Sequence, residues 1–408
     1  KKQDAVLRQI KSRIAWLDIS LPQRNTDKLI QIIPSVFRLI TNREVKLPPF
    51  SVTSTLPSIM NGGKDFSPWS KKDDLLYRTI RIPVEAVLGK DGVGLADCAI
   101  AESKFEKGED ISGRILLLVS QLGEVQKKGT PDIEFAMVGL LARSQIALGR
   151  AEDALRTVQM IRERFEEKGH TRFFHNMDAV ICRIWLHMDD LERVQVWYRE
   201  KAPKDPLHLN VLKRYQYLTQ AMAELALGMP DAVLLTLAPL ESYCKDCSRY
   251  IDGIHINVLE AIALYRKKDS LWKEKLNSAL DVAQEFGFIR TISVYGAAVL
   301  SLLEQTEYKN DDEWFARLIK DVRVEASFYP DFLQPHLSME NELTATELQI
   351  LRLICADKSN AQIGQIMDIK LPTVKTHVSH ILTKLDVSRR SEAKTAAKRL
   401  WLIPDDKN

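Results

Sequence analysis

The stretch LTATELQILRLICADKSNAQIGQIMDIKLPTVKTHVSHILTKLDVSRR, Leu343 to Arg390, decides how the chain is read. It predicts three short helices with a sharp turn between the second and third. Thr344 with Glu347 forms a Thr-x-x-Glu capping box, which satisfies the orphan amides of a helix start. Ser359 with Gln362 repeats the device. Asp368 to Leu371 makes the turn, and Pro372, which has no amide proton to leave unpaired, opens the third helix.

At about 100° per residue, Val374, Val378, Ile381 and Leu385 share one face of that third helix and must pack on the first two. Thr376, Ser379, His380 and Thr383 fall on the opposite face, flanked by Lys375 and Lys384. Short donors and acceptors on a helix anchored by its apolar side suit the major groove, where base edges carry a readable hydrogen-bond code. Between Lys370 and Leu400 eight Lys or Arg stand against two acids, Asp386 and Glu392, an excess suited to phosphate neutralisation. A solvated face on an ordinary bundle would show the same period and charge.

Resemblance separates the two readings. The segment resembles the LuxR-type helix-turn-helix domain along its length. The matching residues are Leu343-Thr344 with Glu347, Ser359-Asn360 with Ile363, and Thr373-Val374-Lys375 with His377; Ile381, Lys384-Leu385, Val387, Arg390 and Glu392-Ala393 complete the pattern. The resemblance implies double-stranded DNA as partner, with Lys375, Thr376 and Ser379 at base-reading positions. Asn360, Thr373, His377, Lys384, Arg389 and Arg390 would then lie nearer the phosphates, where contacts fix register. One departure stands out: where the family usually caps the recognition helix with Ser, this chain has Lys370, then Leu371 and Pro372. A fourth helix, capped by Ser391 and running through Ala396 to Leu400, often forms a dimer contact in related domains, so a homodimer on DNA is implied.

Composition bounds the rest. A chain of 408 residues, 45% hydrophobic, is long enough for two or three domains. Its net charge of +3 argues against a polybasic binder as a whole; the basic character is local to the C-terminal segment. No apolar run has the length of a membrane span, so no membrane partner is expected. Lys1-Lys2-Gln3-Asp4 leads straight into an amphipathic helix with no signal-peptide pattern, and a start without Met fits a fragment of a longer chain. Five scattered cysteines (Cys98, Cys182, Cys244, Cys247, Cys355) fit a reducing cytoplasm. Cys244-x-x-Cys247 lacks two further zinc ligands, His255 being alone nearby, and no strand precedes it, so no metal site is expected.

Apolar positions Leu7, Ile10, Ile14 and Leu17, then Leu29, Ile32, Ile33, Val36 and Phe37, predict two helices before residue 40. From Thr41 to Ser70 the composition changes: Pro48, Pro49, Pro57, Asn61-Gly62-Gly63 and Pro68 break any helix. So long a loop is either a domain boundary or a strap over a neighbour held by Phe50, Phe66 and Trp69.

From about Leu75 to Asp331 turn signals recur at Gly108, Gly149, Asp189, Gly228, Lys268 and Lys309, about forty residues apart, each between two apolar helices. A helix pair cannot bury its apolar face alone, so such pairs stack into a superhelix. The repeats resemble the degenerate tetratricopeptide array of MalT-like regulators, the large ATP-dependent branch of the LuxR family. In that branch an ATPase precedes the array, and arrays of this kind sense small inducers. Gly89-Lys90-Asp91-Gly92-Val93-Gly94 is no P-loop, since no Gly-Lys-Ser/Thr follows; it reads as a turn between helices. No cofactor is expected in this chain, and ATP only if its parent carries an upstream ATPase.

The expected fold is all-α. Residues 1–70 give N-terminal helices and a Pro/Gly-rich segment, 71–331 a TPR-like superhelix, 332–341 a linker, and 342–408 a four-helix LuxR-type domain. Aromatics of the middle repeats, among them Trp185, Trp197, Tyr215, Tyr217 and Trp272, read chiefly as core. No H-E-x-x-H, G-x-S-x-G or paired-carboxylate pattern suggests an enzyme, and no catalytic residue is expected. Two functions remain open. One is a sequence-specific, cytoplasmic transcription regulator whose array senses a small-molecule inducer or partner. The other is a protein-interaction scaffold with secondary or partner-gated DNA binding.

Overall fold

A computed structural model describes residues 2–20, 26–46, 53–109, 111–203, 209–308, 312–334, 343–385, 387 and 389–399. The chain falls into two units, Lys1–Ala223 with Pro230–Leu333, and Gln334–Asn408 with Glu224–Met229. All regular structure among the described residues is helical, apart from one isolated antiparallel bridge between Asn61 and Asp65. No helix among them is long and apolar enough to cross a membrane.

The first unit opens with α1 (Lys2–Ser20) and α2 (Thr26–Thr41), which meet α4 (Asp73–Leu88) through a small cluster of Ala15, Val36 and Val87. The one-turn helix α3 (Ser67–Ser70) precedes α4. Six helix pairs follow among the described residues. They are α5 (Leu95–Glu106) with α6 (Ile111–Lys128), α7 (Pro131–Ile146) with α8 (Ala151–Glu167), and α9 (Phe174–His187) with α10 (Leu191–Glu200). Next come α11 (Arg214–Ala226) with α12 (Pro230–Asp246) and α13 (Tyr250–Arg266) with α14 (Trp272–Phe286). In the last pair the first member is broken into α15 (Arg290–Ser293) and α16 (Gly296–Gln305), followed by α17 (Asp312–Phe328).

The two members of a pair differ in kind. α7 and α13 are buried nearly all round, as expected of a helix covered by neighbours on every side. α8 buries only Ala151, Ala154, Val158, Ile161 and Phe165, one stripe at helical spacing, and α14 likewise buries Trp272, Leu276, Ala279, Leu280, Ala283 and Phe286. The recurring turns lie inside the pairs. Gly108, Gly149 and Gly228 adopt φ of 70°, 75° and 74°, and Asp189 and Lys268 adopt 56° and 58°. In these five pairs a left-handed residue follows the first helix and reverses the chain within a few residues. Lys309 lies outside the described residues.

Between α2 and α3 the chain folds over the repeats. Leu56, Ile59, Met60 and Asp65 of this strap are buried, as is Trp69; Phe50 falls outside the described residues. Gly89-Lys90-Asp91 forms a 3-10 turn between α4 and α5. His255 makes a 3.0 Å contact with the Tyr295 hydroxyl. Trp197, Tyr217 and Trp272 are buried, while Cys247 is exposed. After α17, Phe332 stacks on His187 at the end of α9 with centroids 4.0 Å apart, and Leu333 is buried. The remainder of the expected linker, residues 335–341, lies outside the described residues.

Candidate nucleic-acid interface

The second unit contains α18 (Ala345–Cys355), α19 (Asn360–Met367), α20 (Leu371–Lys384) and α21 (Arg390–Arg399). Both capping boxes form. The Thr344 hydroxyl accepts from the Glu347 amide at 3.2 Å while the Thr344 amide donates to the Glu347 carboxylate at 2.8 Å. At α19 the same pair of bonds links Ser359 and Gln362 at 3.3 and 2.9 Å. Each box fixes where its helix begins and the direction in which it leaves.

The turn into α20 is made by Asp368 at φ 52°, a left-handed position that a short polar side chain tolerates. The Ile369 amide donates to the Gly364 carbonyl at 3.0 Å and closes the end of α19. Gly364 permits this closeness: a Cβ there would sit 2.8 Å from the Ile369 carbonyl oxygen. Lys370 is the N-cap of α20 and makes no side-chain cap hydrogen bond. With Pro372 carrying no amide proton, the Leu371 and Thr373 amides are left at a helix start that has neither box, an arrangement suited to an anion.

Val374, Val378, Ile381 and Leu385 are all buried in a core shared with Leu343, Ile350, Leu351, Ile354, Ile363, Ala393 and Ala397. That anchor sets the rotation of α20. Thr373, Lys375, Thr376, Ser379, His380 and Thr383 are consequently exposed. The Thr376 and Thr383 hydroxyls donate to carbonyls one turn back, at 3.2 and 3.0 Å, which leaves each oxygen able to accept.

The remaining expected site residues are tied within the domain to different degrees. Lys384 is half-buried and pairs with Glu347 at 2.8 Å. Burial works against ionising Glu347, yet the Lys384 ammonium and the Thr344 amide and hydroxyl outweigh it and hold the carboxyl below its ordinary range. Arg390 donates to Asn360 at 2.8 Å and to the Lys358 carbonyl, joining the starts of α19 and α21. The Arg389 amide donates to Glu392 at 3.0 Å, and the Arg389 side chain is exposed. His377 is half-buried, with its Nδ1 screened from solvent. The structure thus gathers Thr373, Lys375, Thr376 and Ser379 on one open face, and places Asn360, Lys384 and Arg390 in the joints that hold that face.

Two families match the chain. One, described as the MalT-like TPR region, covers residues 118–309. The other, described as bacterial regulatory proteins of the luxR family, covers residues 341–397. The chain joins a MalT-like TPR region to a LuxR-type helix-turn-helix domain. It is similar to the HTH-type transcriptional regulator MalT of Vibrio campbellii, 26% identical over 297 residues that make up 68% of this chain and 33% of the relative. The corresponding regulator of Cronobacter sakazakii is 26% identical over 294 residues, 66% of this chain and 32% of the relative. That of Vibrio cholerae is 24% identical over 281 residues, 64% and 31% of the two chains. The chain therefore spans about a third of the length of the curated relatives it matches. No solved structure matches it.

Two residues of the LuxR-type domain were not singled out by sequence reasoning as parts of the reading surface. Gly364 carries the close approach of the turn, and its signal was a glycine inside an otherwise good helix four residues before the reversal. Glu347 caps α18 by its local pattern; its second role, as the acid that receives Lys384, depends on a contact across 37 positions that no local pattern displays.

Proposed function

We propose that this chain is the effector and DNA-binding part of a transcription regulator. α20 enters the major groove, with Lys375, Thr376 and Ser379 reading base edges. Thr373, His377 and Arg389, with the uncapped amides of α20, lie against phosphates, where they set register. Asn360, Lys384 and Arg390 brace the helix, and any phosphate contact they make is shared with that role. The observation that carries this reading is the division of α20: its whole apolar stripe is buried while its Lys, Thr and Ser tips are exposed.

The helical array is the regulatory part, which senses a small-molecule inducer or a partner, and the LuxR-type domain acts on DNA as a homodimer at paired half-sites. ATP enters this reading only if the chain's parent carries an ATPase region upstream. A selection from random duplexes tests the core of the proposal. A recovered site bound at least ~10³-fold more tightly than random duplex supports it. Equal binding of both at every salt concentration contradicts it.

A further inference from the structure

The strap that follows α2 lies across one face of the array as a peptide lies in a receptor. Every first helix from α5 to α13 contributes to its seat. On α5, the Glu102 carboxylate accepts from the Ile59 and Met60 amides at 2.7 and 2.9 Å and from the Ser58 hydroxyl. On α7, Gly139 leaves room for Pro57, since a Cβ there would sit 2.4 Å from the proline Cβ. On α9, Asn176 donates to the Thr55 carbonyl at 2.8 Å. On α11, Arg214 donates to the Asn61 carbonyl at 2.8 Å and to that of Gly62. At the start of α13, the Ile251 amide donates to Asp65 at 2.9 Å, Arg249 donates to the Asn61 amide oxygen at 2.6 Å, and Asp252 accepts from Asn61 Nδ2 at 2.7 Å.

Most of these bonds take strap backbone on one side and an array side chain on the other, which is how extended peptides are held. The array's charges are meanwhile paired among themselves. Asp252 lies 3.1 Å from Arg214 and 2.8 Å from Arg249, and Glu102 lies 3.5 Å from Arg143. These pairings, all within the array, hold the seat's side chains in position beside the strap. Behind the strap the packing is incomplete: an apolar cavity of about 130 Å³ separates Ile59 and Phe66 from Ile80 and Val84 of α4.

We propose that this face is a binding groove for an extended peptide from another protein, filled in cis by residues 54–66. The partner it fits has apolar side chains leading into a tight turn, whose carbonyls meet Arg214 and Arg249, and then a carboxylate that takes the Ile251 amide in the first turn of α13. Buried Glu102 and the free edges of both arginines disfavour an empty groove, so the partner exchanges with the strap. The tether gives the strap an effective concentration on the order of mM, which a trans peptide must overcome. This inference goes beyond the DNA-binding reading, and its readout contains no DNA.

The test is a fluorescein-labelled peptide of residues 53–66 titrated by anisotropy against the whole chain. Asn61→Ala with Asp65→Ala weakens the strap and leaves the groove intact; this variant is expected to bind the peptide at least tenfold more tightly than wild type. Adding Gly139→Ala, which strengthens α7 as a helix but closes the proline seat, is expected to abolish that binding. A folded double variant that binds no more tightly than wild type overturns the proposal. Hydrogen exchange on wild type decides the matter if the variant unfolds. Ile59 and Met60 amides exchanging at least tenfold faster than the α5 and α13 cores support an exchangeable occupant; exchange only with global unfolding makes the strap a fixed part of the fold and refutes it.

Discussion

Lys384 Nζ lies 2.8 Å from Glu347 Oε2, so the last turn of α20 is tied to the carboxylate that caps α18. Because Glu347 is held below its ordinary range, the folded domain binds fewer protons than the unfolded chain in acid. Its stabilisation is complete above the unfolded value of ~4.3 and is lost as the pH falls through the lower folded value. Glu347→Gln is expected to cost about 1–2 kcal/mol at neutral pH and to remove this part of the acid sensitivity. Hydrogen exchange of the α18 and α20 amides against pH measures both. An acid limb unchanged in the variant would detach Glu347 from the effect.

Gly364→Ala places a methyl 2.8 Å from the Ile369 carbonyl and forces the turn before α20 to open. The expected cost is roughly 1–3 kcal/mol of domain stability, with weaker binding to every duplex alike. Differential scanning calorimetry with anisotropy on two unrelated duplexes checks it. Unchanged stability would show that the turn relaxes freely.

Arg390→Ala cuts the link to Asn360 and the Lys358 carbonyl. Domain stability should fall by about 1 kcal/mol. If Arg390 also meets a phosphate, the slope of log affinity against log salt flattens by about one unit, equally for specific and random duplex. A change confined to one sequence would move Arg390 among the base readers.

In the array, burial pushes the Glu325 carboxyl up to about 8, against the pull of Arg290 and with help from Asp321. Its neighbour His187, whose Nε2 is 3.9 Å away, is pushed down to about 4 by burial, with Arg183 adding a little in the same direction and its carbonyl opposing. The native state keeps the Glu325 proton after the unfolded chain has lost it, so that contribution to stability falls as pH rises toward 8. His187 works in the opposite sense, but only below ~6.5. Array stability should therefore drop by roughly 1–2 kcal/mol between pH 6.5 and 8.5, and Glu325→Gln should flatten the drop. Urea titrations at the two pH values measure it; a variant with the wild-type slope would place the titration elsewhere.

Much of this was legible because the decisive features are local. Two capping boxes, a proline at a helix start and a 3.6-residue apolar stripe act within one or two turns, and all formed as the residues dictate. The forty-residue rhythm was legible for the same reason: each reversal needs one left-handed residue, and Gly108, Gly149, Asp189, Gly228 and Lys268 supply it. For residues 41–70 composition allowed either a boundary or a strap, and the place where the strap sits was not legible. Its seat is made by Glu102, Asn176, Arg214 and Arg249, which are far apart in sequence and converge only when the helices stack. Nor did sequence show which basic residues of the LuxR-type domain are braces: Lys384 and Arg390 read as phosphate contacts until Glu347 and Asn360 are found beside them.

The most direct test of the account is selectivity at the exposed face of α20. A duplex recovered by selection, and single-base variants of it, should be titrated with wild type, Lys375→Ala and Ser379→Ala at fixed salt. Each substitution is expected to relax preference at particular base pairs by about 1–3 kcal/mol while leaving random-duplex binding nearly unchanged. Variants that discriminate among the duplexes as sharply as wild type would contradict the assignment of that face to DNA.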